Sequence, residues 1–135
     1  MRYKPSDNEL LEIETLSEEL RLHYFLSRVI ESEEVWGLGG EAGWLIKDLD
    51  DKTIIPLWPY ELLATACAQQ SPGRPATVAV SLEQFVYSLL PKIEQQNIQL
   101  EILPTNSQPG KIIQAQALAA IVEGMMESGE YYMEG

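Results

Sequence analysis

Few side chains in this sequence are of the types that carry acid–base or nucleophilic chemistry. His23 is the only histidine and Cys67 the only cysteine among the 135 residues. Cys67 lies on the apolar side of a predicted helix, which favours a buried structural thiol over a reactive one. His23 lies between apolar and aromatic neighbours on another predicted helix, so a structural role is favoured over an acid or base. The residues therefore point to no catalytic group.

Metal and phosphate sites have no support in the residue patterns either. One histidine and one cysteine cannot build a common zinc centre, and the aspartates at 48–51 lack the twelve-residue pattern of a calcium loop. No pair stands out among the 21 acidic residues. A glycine-rich run superficially resembles a phosphate loop, but a strand follows it, so hairpin glycines are predicted at Gly37, Gly39, Gly40 and Gly43. No metal and no cofactor is expected.

All three tryptophans lie in the segment 35–59, which also contains most of a predicted β-ribbon. Large aromatic side chains on strands usually form core or rim, and this role is favoured here. The alternative is a ligand pocket lined by indoles, with His23 or a carboxylate as its proton carrier. The candidate surface for a ligand or partner comprises Trp36, Trp44, Trp58, Pro59 and His23.

Charge and composition limit the classes of function. Nine basic and 21 acidic residues give a formal net charge of −12. Binding to nucleic acid needs a basic surface and an acidic protein is repelled by anionic membranes, so neither partner is expected. The N-terminus lacks the apolar core of a signal peptide, and no apolar run approaches the roughly 20 residues that span a bilayer. With a single cysteine no intramolecular disulfide can form, and a cytoplasmic location is expected.

The spacing of apolar residues predicts one α+β domain. Helices are predicted over 16–33, 59–70, 81–93 and 117–126, and strands over 35–38, 43–47, 53–57, 77–80, 98–102 and 110–114. The order α-βββ-α-β-α-ββ-α favours a mixed, largely antiparallel sheet with helices packed on it. Pro56 predicts that its strand lies at an edge or ends there, and Pro91 predicts that its helix is kinked or restarted.

The ends of the chain are assigned to less ordered segments. Residues 1–15 are polar and predict either a loose arm, disordered over its first eight residues, or a short amphipathic turn. The domain is expected over 16–127, and a frayed tail over 128–135.

The central segment resembles the bacterial family of uncharacterised proteins called DUF2750. The resemblance rests on V-W-G-L, G-W-L-I-K-D, I-I-P-L-W-P-Y-E-L-L and V-A-V-S-L-E-Q-F, and it extends over about 21–125. It implies a small single domain without established activity, so no catalytic residue is transferred. The positions that match the family pattern are Trp36, Gly43, Trp44, Pro56, Trp58 and Pro59. The order of elements is also similar to that of the N-terminal domain of SseB-type proteins, which implies an interaction module.

Three hypotheses of function follow. The first is a non-enzymatic interaction module that binds a basic protein partner or itself. The second is a small-molecule binder or enzyme with a pocket lined by tryptophans. The third is self-association through an exposed sheet edge near Pro56.

Overall fold

The computed structural model describes residues 5–40, 43–44, 46–49, 52–71, 73 and 75–128, which form an α+β fold. The helices are α1 (Asp7–Glu14), α2 (Glu18–Ser32), α3 (Glu61–Gln70), α4 (Leu82–Gln84), α5 (Leu90–Gln95) and α6 (Ala115–Ser128), with a π-helical turn at Phe85–Leu89. The strands are β1 (Glu34–Gly40), β2 (Gly43–Trp44), β3 (Lys47–Leu49), β4 (Lys52–Leu57), β5 (Ala76–Ser81), β6 (Gln99–Ile102) and β7 (Lys111–Gln114).

The strands form two sheets that meet at a pair of tryptophans. One sheet has the order β2-β1-β5 and is antiparallel, and the other has the order β3-β4-β6-β7, in which only β4 and β6 run parallel. An isolated bridge between Trp36 and Trp58 joins β1 to the end of β4. The predicted α+β class with a mixed, largely antiparallel sheet is confirmed, and the hairpin of β6 with β7 forms as expected.

The predicted three-strand meander is wrong in its middle strand. The segment 43–47 does not form one strand: β2 pairs with β1, whereas β3 pairs with β4 in the other sheet. Trp44 packs against the first sheet, while Ile46 is 44% exposed. The apolar run W-L-I does not alternate, so it cannot specify a single register.

The N-terminal segment forms helix α1 from Asp7 onward. Ser6 caps α1 by accepting a hydrogen bond from the Glu9 amide at 3.2 Å. Ile13 is 1% exposed and belongs to the core, so α1 is the amphipathic alternative extended to two turns. The periodic signal is weak because α1 contains only eight residues.

Pro56 does not lie on an edge strand, because β4 has β3 on one side and β6 on the other. The pairing with β3 nevertheless stops at Ile54, and the bridge to β1 begins at Trp58. Pro56 therefore lies where β4 changes its neighbour, and its missing N–H removes no hydrogen bond there.

Two predicted helices differ in detail from the structure. α3 begins at Glu61, after Pro59, and buries Leu63, Ala64 and Ala68, whereas Leu62 is 38% exposed. The effect of Pro91 is a π-helical turn, in which the Leu90 amide donates to the Phe85 carbonyl five residues back. This wider turn accommodates a proline ring that would clash with a carbonyl in a regular α-helix.

A single hydrophobic core lies between the sheets and the helices. Its members with 0% exposure come from α2, both sheets, α3, the π-helical turn, the loop after β6 and α6: Phe25, Val29, Val35, Leu57, Ala64, Phe85, Leu100, Ile102, Leu103, Leu118 and Val122. Helix α6 reaches Ser128, and the predicted tail beyond it lies outside the described residues.

Candidate functional site

Trp36 and Trp58 form the joint between the two sheets. The amide of each donates to the carbonyl of the other at 2.8 Å. Trp36 is 6% exposed and Trp58 is 1% exposed. The Trp58 indole Nε1 also donates to the Pro104 carbonyl at 2.7 Å, so its one polar atom is paired inside the core. Both tryptophans therefore hold the fold together.

Trp44 occupies space that a glycine leaves open. A Cβ atom added at Gly37 would overlap Cζ3 and Cε3 of the Trp44 ring. The half-buried indole therefore covers β1 where β1 has no side chain. The predicted hairpin also forms, with Gly39 paired to Trp44 and Gly40 paired to Gly43.

A small cleft lies beside Trp58. Its volume is about 210 Å³, and its walls come from β1, β4, α3 and the loop after β6: Leu38, Pro56, Trp58, Cys67, Gln70, Ser71, Pro104, Thr105 and Asn106. Cys67 Sγ donates to the Pro104 carbonyl at 3.5 Å, and Ser71 Oγ donates to the Cys67 carbonyl at 2.9 Å. Of the predicted tryptophans, only Trp58 lines this cleft.

His23 does not join the tryptophans. It lies on the exposed side of α2 and does not line the Trp58 cleft. Pro59 is buried next to Trp58, before α3 begins. The structure thus brings Trp36, Trp58 and Pro59 together, with Trp44 one strand away.

The loop 103–110 forms one wall of the cleft and starts with an unusual backbone conformation. Leu103 has a positive φ of 59°, which costs free energy for a bulky side chain. Its amide donates to the Leu57 carbonyl at 2.9 Å, and its carbonyl accepts from Arg21 Nη1 at 2.7 Å. These two bonds hold the strained residue in place.

Arg21 is the buried cation that anchors this loop. It is 1% exposed and also donates from Nε to the Leu16 carbonyl at 3.2 Å. Burial lowers the pKa of Arg21, and the carboxylates of Glu14 and Glu101 partly offset that effect. Glu101 is 2% exposed and accepts from the Gly110 amide at 2.9 Å, so it fixes the far end of the same loop.

A second polar cluster joins α1 to α2. The Tyr24 hydroxyl donates to Glu9 Oε2, and Arg28 Nη2 donates to the same oxygen at 3.3 Å. The Arg28 guanidinium also lies 5.0 Å from the centroid of the Tyr24 ring. Burial and the hydrogen bond to Glu9 raise the pKa of Tyr24 above its ordinary value. A cavity of about 330 Å³ adjoins this cluster.

The sequence interpretation misses both polar clusters. Arg21 gives one signal, because it precedes Phe25 and Val29 at four-residue spacing on the apolar stripe of α2. A charged side chain on such a stripe must find internal partners. Glu101 gives no such signal, because it shares the polar alternation of the strand with Gln99, which predicts an exposed side chain. Its partner Gly110 is set by the loop and not by local pattern.

The described residues contain no cluster of three or more histidine, cysteine or acidic side chains that could hold a metal ion. Within the same residues, no helix has both the length and the apolar character required to cross a membrane.

Comparison with known proteins gives a family and no activity. No curated protein matches the chain. The family described as protein of unknown function DUF2750 matches residues 22–121, a span that begins in α2 and ends in α6 and contains all three tryptophans. Helix α1 lies outside the matched span. Because the match covers well over half of the 135 residues, the chain belongs to the DUF2750 family.

Proposed function

We propose that this chain is a non-enzymatic interaction module of the bacterial cytoplasm, which binds a basic protein partner through the outer surface of α1 and α2. The distribution of charge carries the proposal. Residues 7–34 contain nine acidic and two basic side chains, so about a fifth of the chain carries −7 of the formal charge of −12. A surface of one sign attracts a partner of opposite sign and speeds their encounter.

The basic side chains of this region do not neutralise its outer surface. Arg21 is buried and donates to backbone carbonyls. Arg28 lies between Glu9 and Glu31, at 3.3 and 3.7 Å. The acidic side chains that remain exposed, here named the acidic helical surface, are Asp7, Glu12, Glu18, Glu19, Glu31 and Glu33. Of these, Glu19 pairs with Lys111 at 2.9 Å.

The chemistry of the described side chains supports a binding role over a catalytic one. The thiol of Cys67 donates to a backbone carbonyl, and His23 lies on an exposed helix surface away from the Trp58 cleft. Catalysis by proton or acyl transfer needs such groups to converge on one reacting atom.

A capture experiment with two charge-matched variants tests the proposal. The immobilised full chain should retain a basic protein from bacterial cytoplasmic extract at low salt and release it as salt is raised. The variant Glu12→Gln/Glu18→Gln/Glu33→Gln should lose that protein. The variant Glu61→Gln/Glu83→Gln/Glu127→Gln changes the net charge equally, at exposed positions outside α1 and α2, and should keep it.

Failure of the wild type to retain any basic protein at low salt would count against a basic partner. Equal loss in the two variants would mean that net charge alone acts, and the acidic helical surface would then be the wrong site. A partner retained by both variants at high salt would likewise contradict the electrostatic proposal.

A small-molecule site in the Trp58 cleft is the second candidate function. Its support is the strained Leu103 beside a cleft of about 210 Å³, since strain often accumulates at ligand sites. A metabolite library screened by tryptophan fluorescence tests it. A shift that is present in the wild type and absent in Trp58→Phe would support this function, whereas no shift for any compound would exclude it for that library.

A further inference from the structure

Among the residues that the structure describes, strand β5 is an edge of its sheet and lacks the usual protection of an edge. Its six residues, A-T-V-A-V-S, contain no charge and no proline. The other edge strands of the described chain are two to four residues long, and β3 and β7 each carry a lysine, Lys47 and Lys111. Short length and lysine are two devices that prevent pairing between edges, and β5 uses neither.

The hydrogen-bond alternation shows which backbone groups of β5 point outward. The Leu82 amide donates to the Glu33 carbonyl at 2.8 Å, one step beyond the pair of Glu34 with Ser81. Bonded and non-bonded pairs alternate in an antiparallel ladder, so Val80 and Val78 bond to β1 and Ala79 does not.

Trp36 confirms this alternation from the other side. It lies opposite Ala79, and its amide and carbonyl bond to Trp58 instead. The N–H groups of Thr77, Ala79 and Ser81 therefore face away from β1. The side chains of Ala76, Ala79 and Ser81 are exposed, so the edge is accessible.

We infer that β5 pairs with β5 of a second copy of this chain in an antiparallel dimer whose two-fold axis passes at Ala79. The residues whose N–H groups face outward are Thr77, Ala79 and Ser81, and the first and last of them are equally far from Ala79. This axis places Ala79 opposite its own copy, Thr77 opposite Ser81, and Val78 opposite Val80. The two copies of Ala79 can thus exchange both of their backbone hydrogen bonds, and the Ser81 amide of each copy can donate to the Thr77 carbonyl of the other.

The absence of charge in β5 favours a second copy as the occupant. Like charges opposite each other would prevent self-pairing, and β5 carries none. The half-exposed Val78 and Val80 would cover each other. One strand pair buries less than the roughly 1,200 Å² of a stable interface, so the dimer is weak and forms at high concentration. This surface differs from the acidic helical surface and does not depend on it.

Sedimentation of the wild type over a range of concentrations is the first test. A reversible dimer should form, and added salt should strengthen it because two chains of charge −12 repel each other. Binding of a basic partner should instead weaken as salt is added. Failure of one proposal can therefore be distinguished from failure of the other. A monomer at about millimolar concentration in salt would overturn the inference.

Two substitutions at Ala79 test the edge itself. Ala79→Pro removes an outward N–H and leaves the bonds to β1 intact, so the variant should fold and remain monomeric. Ala79→Lys places like charges across the axis and should give the same result if the proline variant fails to fold. Dimerisation of a folded Ala79→Pro or Ala79→Lys variant with the affinity of the wild type would contradict the inference.

Cross-linking in a Cys67→Ser background tests the register. Ala79→Cys should form a covalent dimer under mild oxidation, because bonded antiparallel pairs place Cα atoms about 5.5 Å apart, within disulfide range. Ala76→Cys is the matched control, since it lies on the same strand and is also exposed, but faces Leu82 of the other copy. Equal cross-linking of the two variants would exclude an axis at Ala79.

Discussion

Gly37 shows how one absent side chain admits a large one. It lies in β1 opposite Val78, and the Trp44 ring occupies the space next to its Cα atom. Gly124 is different, because it lies inside α6 and a methyl group added to its Cα atom would have nothing within 4 Å. Substitution of the two glycines by alanine should therefore change the free energy of unfolding in opposite directions.

Gly37→Ala should lower the free energy of unfolding by about 1–3 kcal/mol, because the added methyl displaces the Trp44 ring. Gly124→Ala should raise it by about 0.5–1 kcal/mol, because alanine loses less entropy than glycine in a helix. Urea denaturation followed by far-UV circular dichroism measures both. A neutral Gly37→Ala would mean that the Trp44 ring moves aside without cost.

Tyr24 makes the stability depend on pH in the alkaline range. Its pKa is raised in the folded protein, first by burial and then by the Glu9 carboxylate. A raised pKa means that the folded state favours the protonated phenol. This stabilisation is complete below the ordinary tyrosine pKa of about 10, and it is lost as pH rises above that value.

The free energy of unfolding should therefore fall above about pH 10, and Tyr24→Phe should reduce the slope of that fall. Tyr87→Phe is the control, because Tyr87 is 60% exposed. Denaturation midpoints between about pH 8 and 11 provide the measurement. The same slope in both variants would show that Tyr24 ionises in the folded state as it does in the unfolded chain.

Single residues are predictable from the sequence only where their role is local. Ser81 stands at the predicted start of the helix after β5, and its Oγ accepts from the Gln84 amide at 3.1 Å as a cap. Pro59 stands at the predicted start of α3, but in the structure it precedes the helix. The clustering of Trp36 with Trp58 depends on a bridge between distant segments, and no local spacing encodes such a contact.

At the scale of elements, α1 is tied to the loop that forms one wall of the Trp58 cleft. Glu14, the last residue of α1, accepts hydrogen bonds from Thr105 Oγ1 and Ser107 Oγ, both at 2.7 Å. Arg21 links the start of α2 to the same loop through the Leu103 carbonyl. Helix α1 lies outside the span matched by the family, and α2 lies at its start. Both helices thus support the loop 103–110, which lies inside the matched span.

Glu14→Ala should lower the free energy of unfolding by about 1–2 kcal/mol and increase amide exchange at Gln108 and Gly110. Glu12→Ala is the matched control, because Glu12 lies half a turn away and is exposed. Hydrogen exchange with urea denaturation measures both effects. Equal exchange in the two variants would show that the Glu14 carboxylate does not hold the loop.

The elements themselves are predictable to different degrees for a common physical reason. Long amphipathic segments such as α2 have several turns in which the apolar period repeats, so the pattern identifies them. Short elements do not repeat the period in this way: α1 has about two turns, and β2 and β3 have fewer than four residues each. Tertiary pairing decides their structure, and a local pattern of that length cannot.

In the whole molecule, repulsion between negative charges opposes the compact folded state. The formal charge of −12 belongs to a chain folded around one core, so negative charges lie closer together in the folded state than in the unfolded one. The ion pairs of Arg28 with Glu9 and of Lys111 with Glu19 offset part of this repulsion. Repulsion between surface charges is screened by salt, whereas the buried contacts of Arg21 are screened much less.

The free energy of unfolding should therefore rise as salt is increased from about 10 mM to 150 mM, by about 1 kcal/mol. The variant Glu12→Gln/Glu18→Gln/Glu33→Gln should show a smaller rise, because it removes three charges from the most acidic part of the chain. Urea denaturation at each salt concentration, at protein concentrations below dimer formation, gives the slopes. A fall with salt would mean that attractive ion pairs outweigh repulsion, and the charge on α1 and α2 would then be compensated within the folded chain.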